Sequence, residues 1–200
     1  MTGMPAREKL LYSALDLFSK KGYDATSVDE IAEAAGMKGP NIYKYFKGKE
    51  DLLTQLHALV DKPYDSKMGL DDSFPIWIHN GDELKQFSMH QINYTINDDI
   101  IIKLRRMVTI EQFRMDKLTE QATTHQFDNI INQFAKIFDD MIKNGALDEC
   151  DTKVLALEYT APTAMLIQLS DREPSRRAEA LELIEKHIDF FIAKYCKKQM

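Results

Sequence analysis

The stretch that decides the fold is residues 26–51, which read TSVDEIAEAAGMKGPNIYKYFKGKED. Its residues 27–30, Ser-Val-Asp-Glu, form a capping box, in which the serine oxygen and the glutamate satisfy free backbone amides at the start of a helix. Gly36 ends that helix as a left-handed residue, and Pro40 stands in the first turn of the next helix. Two short helices joined by a turn around a glycine are typical of a helix-turn-helix.

The second of these helices, predicted over residues 40–46, is too short to have a core of its own. Ile42 and Phe46, one turn apart, are its only apolar anchors. The other face carries asparagine, which can pair with adenine, lysine, which can pair with guanine, and tyrosines, whose hydroxyls can bind phosphate. Lys47 and Lys49 follow at the start of the next helix, where lysine charge and free backbone amides can together hold a phosphate. Spacing alone fits an ordinary pair of amphipathic helices equally well.

Charge is distributed unevenly along the chain. The 200 residues carry a formal net charge of −6, yet residues 1–50 hold 8 Lys and Arg against 7 Asp and Glu. Residues 36–49 contain four lysines and no acidic residue. A short basic stretch in an acidic chain indicates site-specific rather than indiscriminate polyanion binding, although a charge run of this kind is also common on a solvated helix face.

Helical periodicity continues on both sides of this stretch. Apolar residues at i, i+3, i+4 and i+7 predict a helix over about Ala6–Lys21, which Gly22 ends. Gly48 caps a further helix that begins at about residue 50. Because no segment shows the alternation of a strand, we expect an all-α protein.

An ordered series of residues covering about a quarter of the chain identifies a family. It comprises Ala14-Leu15-Asp16-Leu17-Phe18, Gly22-Tyr23, Thr26-Ser27-Val28, Ile31-Ala32, Ala35-Gly36-Met37 and Ile42-Tyr43-Lys44-Tyr45-Phe46-Lys47-Gly48-Lys49-Glu50-Asp51-Leu52. In this series residues 7–56 resemble the N-terminal domain of the tetracycline-repressor (TetR) family of bacterial regulators. Two positions depart from the family pattern, since Lys38 stands where serine is usual and Gly48 where serine or another small residue is usual.

The resemblance implies DNA contacts residue by residue. Tyr43 corresponds to a tyrosine that reaches the DNA backbone or a base edge, Tyr45 to one that touches phosphate, and Lys49 to the basic residue that opens the fourth helix. Thr26 and Ser27 correspond to residues that meet phosphate at the start of the second helix. The predicted DNA-binding residues are Thr26, Ser27, Lys38, Gly39, Asn41, Tyr43, Lys44, Tyr45, Lys47 and Lys49.

The resemblance also implies two domains. Residues 1–49 form the three-helix DNA-binding head with its helix-turn-helix, and residues 50–200 form a larger helical body for effector binding and dimerisation, to which the helix from about residue 50 leads. Within the body, apolar spacing predicts helices over about residues 82–96, 98–115, 127–141, 152–169 and 175–197. The clearest periodicity is that from Phe127 to Met141.

The last predicted helix carries a heptad-like seam, which suits a four-helix dimer interface but on its pattern alone fits a core helix better. The seam residues are Leu181, Ile184, Ile188, Phe191 and Tyr195. The resemblance implies that the last two long helices pair with their copies in a second subunit. We therefore predict a homodimer, whose two recognition helices lie roughly 34–36 Å apart, one DNA turn, and read a palindrome.

By resemblance, the body also holds a pocket for an apolar or aromatic small-molecule effector. The candidate lining residues are Trp77, Phe87, His90, Tyr94, Met107, Glu111, Phe113, Phe134 and Tyr159. Aromatic residues and methionines at helical spacing are, however, more often plain core. Glu111 fits either a ligand contact or a salt bridge to an arginine such as Arg114, because a buried acid requires a partner.

Several classes of function find no support in the sequence. It contains no phosphate loop, HExxH, GxSxG or dinucleotide fingerprint, so we expect no enzyme and no cofactor. Its histidines include no i, i+3 or i, i+4 pair, which argues against a metal site. Without a secretory signal or a stretch that could span a bilayer, a cytoplasmic protein with no membrane partner is expected. The prediction is a repressor that binds a palindromic operator and is released by an effector; a DNA-bound interaction protein without an inducer is the alternative.

Overall fold

The computed structural model describes residues 4–68 and 78–197, and within them the side chains of all residues except 57, 59–66, 117 and 121. The described backbone is helical and contains no strand, which confirms the predicted all-α class. The α-helices are α1 (Ala6–Lys21), α2 (Val28–Ala34), α3 (Lys49–Met68), α4 (Gly81–Asn97), α5 (Asp99–Glu111), α6 (Asp116–Thr123), α7 (Asn129–Lys143), α8 (Thr152–Arg172) and α9 (Arg177–Tyr195). Two 3-10 helices, Gly39–Lys44 and Pro174–Arg176, and a π-helical turn, Thr124–Asp128, complete the described elements.

The chain divides into two compact units. Unit 1 comprises Met1–Ser66 and Asp99–Ala122, and unit 2 comprises Lys67–Asp98 and Thr123–Met200. The domain boundary predicted at residue 49 does not coincide with a boundary between these units. It divides DNA binding from effector binding and dimerisation, and it stays a prediction.

The core of unit 1 joins α5 and α6 to the N-terminal helices. All four apolar residues that predicted α1 are buried: Leu11, Ala14, Leu15 and Phe18. Met107 of α5 is fully buried in the same cluster. Because α5 shares this core, its side chains can act directly on the loops of the helix-turn-helix.

Aromatic rings fill the core of unit 2. Phe134 and Phe138 of α7 pack with Tyr159 of α8 and Phe191 of α9, and the Tyr159 and Phe191 ring centroids are 4.5 Å apart. Phe127 was predicted to continue the apolar stripe of α7, but it is exposed. It lies in the π-helical turn, whose i→i+5 bonding breaks the 3.6-residue spacing on which that prediction depended.

The heptad-like seam of α9 faces the chain's own core. Ile184, Ile188 and Phe191 are buried in unit 2, and Leu181 and Tyr195 pack against the same cluster half-buried. Three of the five residues predicted for a dimer interface are thus covered by their own chain, whereas Leu181 and Tyr195 keep part of their surface open. The physical reason is that α8 and α4 fill the space beside α9.

Candidate nucleic-acid interface

The predicted capping box begins α2. The Ser27 Oγ accepts a hydrogen bond from the Glu30 amide at 3.2 Å, and the Glu30 carboxylate accepts one from the Ser27 amide at 2.8 Å. The Lys21 ammonium also binds Glu30, and together with the Ser27 amide it lowers the pKa of the Glu30 carboxyl to about 2. The start of α2 is therefore held by reciprocal bonds, with Ser27 itself exposed.

A tight turn leads from α2 to residues 39–46, which contain the 3-10 helix Gly39–Lys44 and which we call the recognition segment. Gly36 has a φ of +73°, as its predicted left-handed role requires, and the Met37 amide donates to the Ala32 carbonyl at 2.8 Å. The predicted helix over residues 40–46 is thus present, but as a 3-10 helix. With so few residues, i→i+3 bonding is the common choice. Lys38 makes no side-chain cap to it within the described residues.

The recognition segment buries two side chains and exposes the others. Ile42 and Phe46 are buried, as predicted from their spacing. Tyr43 is 63% exposed, and Lys44 and Tyr45 are also exposed. Of the other predicted DNA-binding residues nearby, Lys38 and Lys47 are exposed, and Gly39 and Asn41 are half-exposed. These exposed side chains can therefore approach a DNA groove while Ile42 and Phe46 stay buried.

Arg7 of α1 is a cationic neighbour of this surface that sequence reasoning missed. Its guanidinium lies over the Phe46 ring, 5.5 Å from the centroid, and donates to Gln55. Arg7 is exposed, so its charge adds to that of the exposed lysines Lys38, Lys44 and Lys47. Its only sequence signal was a cation at the start of α1, which fits any solvated helix face.

One backbone amide just before α3 is already hydrogen-bonded and is not available to phosphate. The Lys47 amide donates to Asp51 Oδ2 at 2.8 Å, and Gln55 Nε2 donates to Asp51 Oδ1 at 2.8 Å. These bonds, with that of Gln55 the larger, lower the pKa of the Asp51 carboxyl. Any phosphate at this end must therefore be held by exposed lysine side chains and the remaining amides.

Two predicted DNA contacts, Lys49 and Thr26, point inward. Lys49 Nζ donates to the Tyr23 carbonyl at 2.8 Å and to the Thr26 carbonyl at 3.0 Å, and lies 4.3 Å from the Tyr23 ring centroid. Thr26 is buried, and its hydroxyl donates to the Gly22 carbonyl at 2.7 Å. Both side chains are thus engaged in holding the α1–α2 loop, which a resemblance of sequence could not reveal.

The structure gives Glu111 a partner that neither expectation named. Its side chain is fully buried in unit 1, and Oε1 accepts a hydrogen bond from the Tyr23 amide at 2.8 Å. Arg114, the predicted salt-bridge partner, is exposed on the turn that follows. Neighbouring candidates also fail to form a pocket lining with it, because Met107 belongs to the unit 1 core and Phe113 is 90% exposed.

The remaining effector candidates belong to unit 2. Phe134 and Tyr159 are packed core residues, 5.0 Å apart between centroids, and burial raises the pKa of the Tyr159 phenol. Phe87 packs half-buried against Phe134, and Tyr94 is half-buried beneath the Lys67 ammonium. His90 is exposed, whereas Trp77 lies outside the described residues. Among the candidates in unit 2, Phe87 and Tyr159 both make ring contacts with Phe134.

Buried polar side chains in unit 2 were missed altogether. Gln91 and Gln133 share a hydrogen bond of 3.0 Å, and each donates to the carbonyl of Met68, the last residue of α3. Ser88 and Tyr159 share another buried hydrogen bond of 2.8 Å. These bonds satisfy polar groups whose burial would otherwise be costly. No short-range motif announces them, because their partners are distant in sequence.

Family comparisons give this geometry its context. Residues 10–56 match the family model of the bacterial regulatory proteins of the tetR family. Residues 82–197 match the C-terminal domain of AefR-like transcriptional repressors. The chain belongs to the TetR family.

Individual TetR-family proteins resemble the chain over part of their length. It is 29% identical over 124 residues to the HTH-type transcriptional regulator AcrR of Shigella flexneri, which covers 60% of this chain and 54% of AcrR. It is 37% identical over 49 residues to IcaR, the negative transcriptional regulator of the biofilm operon icaADBC in Staphylococcus aureus, covering 24% of this chain and 26% of IcaR. The chain thus spans about half of AcrR and a quarter of IcaR.

A solved structure shows the same fold over nearly the whole chain. SmeT, the repressor of the Stenotrophomonas maltophilia multidrug efflux pump SmeDEF, matches with a TM-score of 0.68 and 19% identity, covering 96% of this chain and 91% of SmeT. Its complex with triclosan matches with a TM-score of 0.68 and 21% identity, covering 96% and 92%. The N-terminal helix-turn-helix followed by a helical body is thereby confirmed as the TetR fold.

The described parts of this TetR-family chain contain neither a cluster of metal ligands nor a membrane-spanning helix. Residues 4–68 and 78–197 contain no group of three His, Cys, Asp or Glu side chains placed to hold a metal ion. Over the same ranges, no helix combines the length and the apolar character needed to cross a bilayer.

Proposed function

We propose that this TetR-family chain is a transcriptional repressor that binds a palindromic operator as a homodimer and releases it when a small molecule binds its body. The observation that supports DNA binding is the exposed face of the recognition segment. Tyr43, Lys44 and Tyr45 project from a segment whose Ile42 and Phe46 are buried, so the exposed residues have no role in packing. Lysines are suited to phosphate and guanine, and tyrosines to phosphate.

The comparisons support repression in particular. IcaR is a negative regulator, and SmeT is the repressor of an efflux pump. SmeT also forms a complex with triclosan, a small aromatic compound, which favours an effector over the alternative of an interaction protein without inducer.

For the dimer we propose the outward faces of α8 and α9 in place of the predicted seam. Val154, Leu157 and Met165 of α8 are exposed at helical spacing, and so are Leu183 and Phe190 of α9. Large apolar side chains gathered on two neighbouring helices are typical of a surface covered by a partner. Since TetR-type operator binding requires two heads, a second copy is the partner we propose.

Selection of bound duplexes from a random DNA pool tests the proposal. The wild type should enrich a palindrome, and Tyr43→Ala and Lys44→Ala should weaken binding to it by about 1–3 kcal/mol each. Lys136→Ala is the matched control, because it removes an exposed lysine of α7 in unit 2 and should leave binding unchanged. A folded wild type that enriches no sequence would contradict DNA recognition.

Sedimentation analysis tests the dimer surface. Phe190→Asp should yield monomers, because it places a charge within the proposed apolar contact. Phe127→Asp makes the same change at another exposed phenylalanine and should leave the dimer intact. Equal sedimentation of both variants and wild type would refute this surface.

Triclosan serves as the first probe of the effector part. We expect it to raise the melting temperature and to release the selected duplex. Phe87 and Tyr94, both half-buried on α4, are the residues proposed to line its site. If neither triclosan nor a panel of apolar aromatic compounds has either effect, release by an effector is wrong, while DNA binding is judged separately by the selection.

A further inference from the structure

Tyr23, in the loop between α1 and α2, is held on both sides of its backbone. Its amide donates to Oε1 of the buried Glu111 at the end of α5, at 2.8 Å. Its carbonyl accepts from Lys49 Nζ at the start of α3, also at 2.8 Å. Lys49 reaches the Thr26 carbonyl as well, at 3.0 Å. One loop residue thereby connects α5 to the helix that follows the recognition segment.

The loop is shaped to admit the carboxylate. Gly22 has φ +88° and ψ 166°, a backbone conformation that is essentially restricted to glycine. A Cβ at this position would collide with Glu111 Oε1. Both the conformation and the missing side chain at Gly22 are therefore needed for Glu111 to reach the Tyr23 amide.

Core stability does not by itself account for an acid at this position. Glu111 is fully buried, and its Oε2 has no hydrogen-bond partner among the described residues. Burial of such a group is unfavourable, and an apolar residue of similar size would avoid the cost. What the carboxylate adds is a directed acceptor for one backbone amide.

We infer that Glu111 is a positioning residue for DNA binding: by holding the Tyr23 amide, it sets the place of the α1–α2 loop and, through Lys49, of the start of α3. The loop leads directly to Ser27, the exposed cap of α2 that is predicted to meet phosphate. At its other end the connection reaches the α3 turn next to Phe46, an anchor of the recognition segment. This inference rests on the proposed DNA-binding function.

The test compares three full-length variants with wild type on the duplex selected above. Glu111→Gln keeps an acceptor oxygen and should bind within about threefold of wild type, whereas Glu111→Leu removes it and should weaken binding by about tenfold. Glu120→Leu, which changes the charge equally at an exposed site of unit 1, should bind like wild type. Affinities are measured well below the melting temperatures, with the folded fraction checked by circular dichroism.

Two further readouts separate positioning from a general loss of stability. The melting temperature of Glu111→Leu should stay within about 4 °C of wild type, because the lost hydrogen bond is offset by removal of a poorly paired buried acid. The salt dependence of its DNA binding should become shallower by about one phosphate contact, as expected if Ser27 is displaced. Hydrogen exchange at the Tyr23 amide should accelerate in Glu111→Leu and not in Glu111→Gln.

Each contrary result has a definite meaning. If Glu111→Leu binds the duplex as tightly as wild type, the inference is overturned. It is also overturned if Glu111→Gln loses binding as fully as Glu111→Leu, since the acceptor would then not be the cause. If wild type selects no duplex, the proposed function fails. Hydrogen exchange at the Tyr23 amide then decides by itself whether Glu111 positions the loop, and unchanged protection of that amide in Glu111→Leu would overturn the positioning role.

Discussion

The recognition segment and α9 both carry apolar residues one turn apart, yet they use them differently. In the recognition segment, two buried anchors leave Tyr43 and its neighbours on the surface. In α9, the apolar seam lies in the core, and Phe190 next to it is 66% exposed while Phe191 is 1% exposed. A segment this short can bury only one narrow face, whereas a helix of 19 residues can cover a core on one side and carry a second apolar face on the other. Apolar spacing therefore marks a face without telling what covers it.

The neighbouring phenylalanines of α9 give the sharpest test of this difference. Phe191→Ala should lower the free energy of unfolding by about 3–5 kcal/mol, because it removes a ring from the centre of the unit 2 core. Phe190→Ala should change it by only about 0.5 kcal/mol, as at other surface sites. Chemical denaturation is measured at protein concentrations where sedimentation shows monomers. Similar losses from both variants would mean that the two faces of α9 are not distinct.

Adjacent residues of the recognition segment offer the same test on the DNA side. Ile42→Ala should cost about 2–5 kcal/mol of unfolding free energy through the lost anchor. Tyr43→Ala should leave stability within about 0.5 kcal/mol, so that its effect is confined to DNA binding. Denaturation and duplex binding are measured on both variants. A large loss of stability in Tyr43→Ala would show that the exposed face also packs.

Alanine substitutions at two glycines with positive φ distinguish the cost of backbone strain from the cost of a steric collision. Gly22→Ala should destabilise the protein by about 1–3 kcal/mol through strain, with the collision against Glu111 in addition. Gly36→Ala places alanine in a left-handed backbone conformation, but no neighbouring atom lies within 4 Å of the new methyl group. The loss of stability should therefore be smaller than for Gly22→Ala. Thermal unfolding of the two variants shows which substitution destabilises the protein more. Equal costs would mean that Glu111 yields to the methyl group.

The smallest effect concerns the cap of α2. The pKa of Glu30 is lowered from 4.5 to about 2, so its bonds to Lys21 and Ser27 contribute their full stability above pH 4.5 and lose it as the pH falls toward 2. An NMR titration of the Glu30 carboxyl should have its midpoint near 2, and Lys21→Met should raise it. A midpoint near 4.5 in the wild type would show that the cap does not hold the carboxylate.

Local features of the sequence predicted much of the fold. The capping box, the Gly36 turn, the anchors Ile42 and Phe46 and the bounds of α1 depend on residues a few positions apart, where backbone geometry limits the choices. The exposed face of the recognition segment followed from the same spacing. The 3-10 form of that segment and the exposure of Phe127 were not predictable, because small changes in hydrogen-bond register decide them.

Roles that depend on distant partners were predicted poorly. Glu111 was interpreted as a ligand or salt-bridge residue, because nothing near it in sequence points to the Tyr23 amide, 88 positions away. Lys49 was expected to hold phosphate because it stands at the start of a helix, whereas its ammonium is surrounded by loop carbonyls. Side chains that bond to backbone groups leave no pattern of their own, since every residue type offers the same amide and carbonyl.

The sequence by itself determined an all-helical chain, a helix-turn-helix near its start and membership of the TetR family, because these depend on periodicity, caps and an ordered local motif. Only the tertiary structure decided that the α9 seam faces inward, that Phe134 and Tyr159 are packed core residues, and that Glu111 and Lys49 hold Tyr23 between them. The physical reason is that a helix declares its apolar and polar faces through local spacing, while the partner of each face is set by packing between residues far apart in the chain.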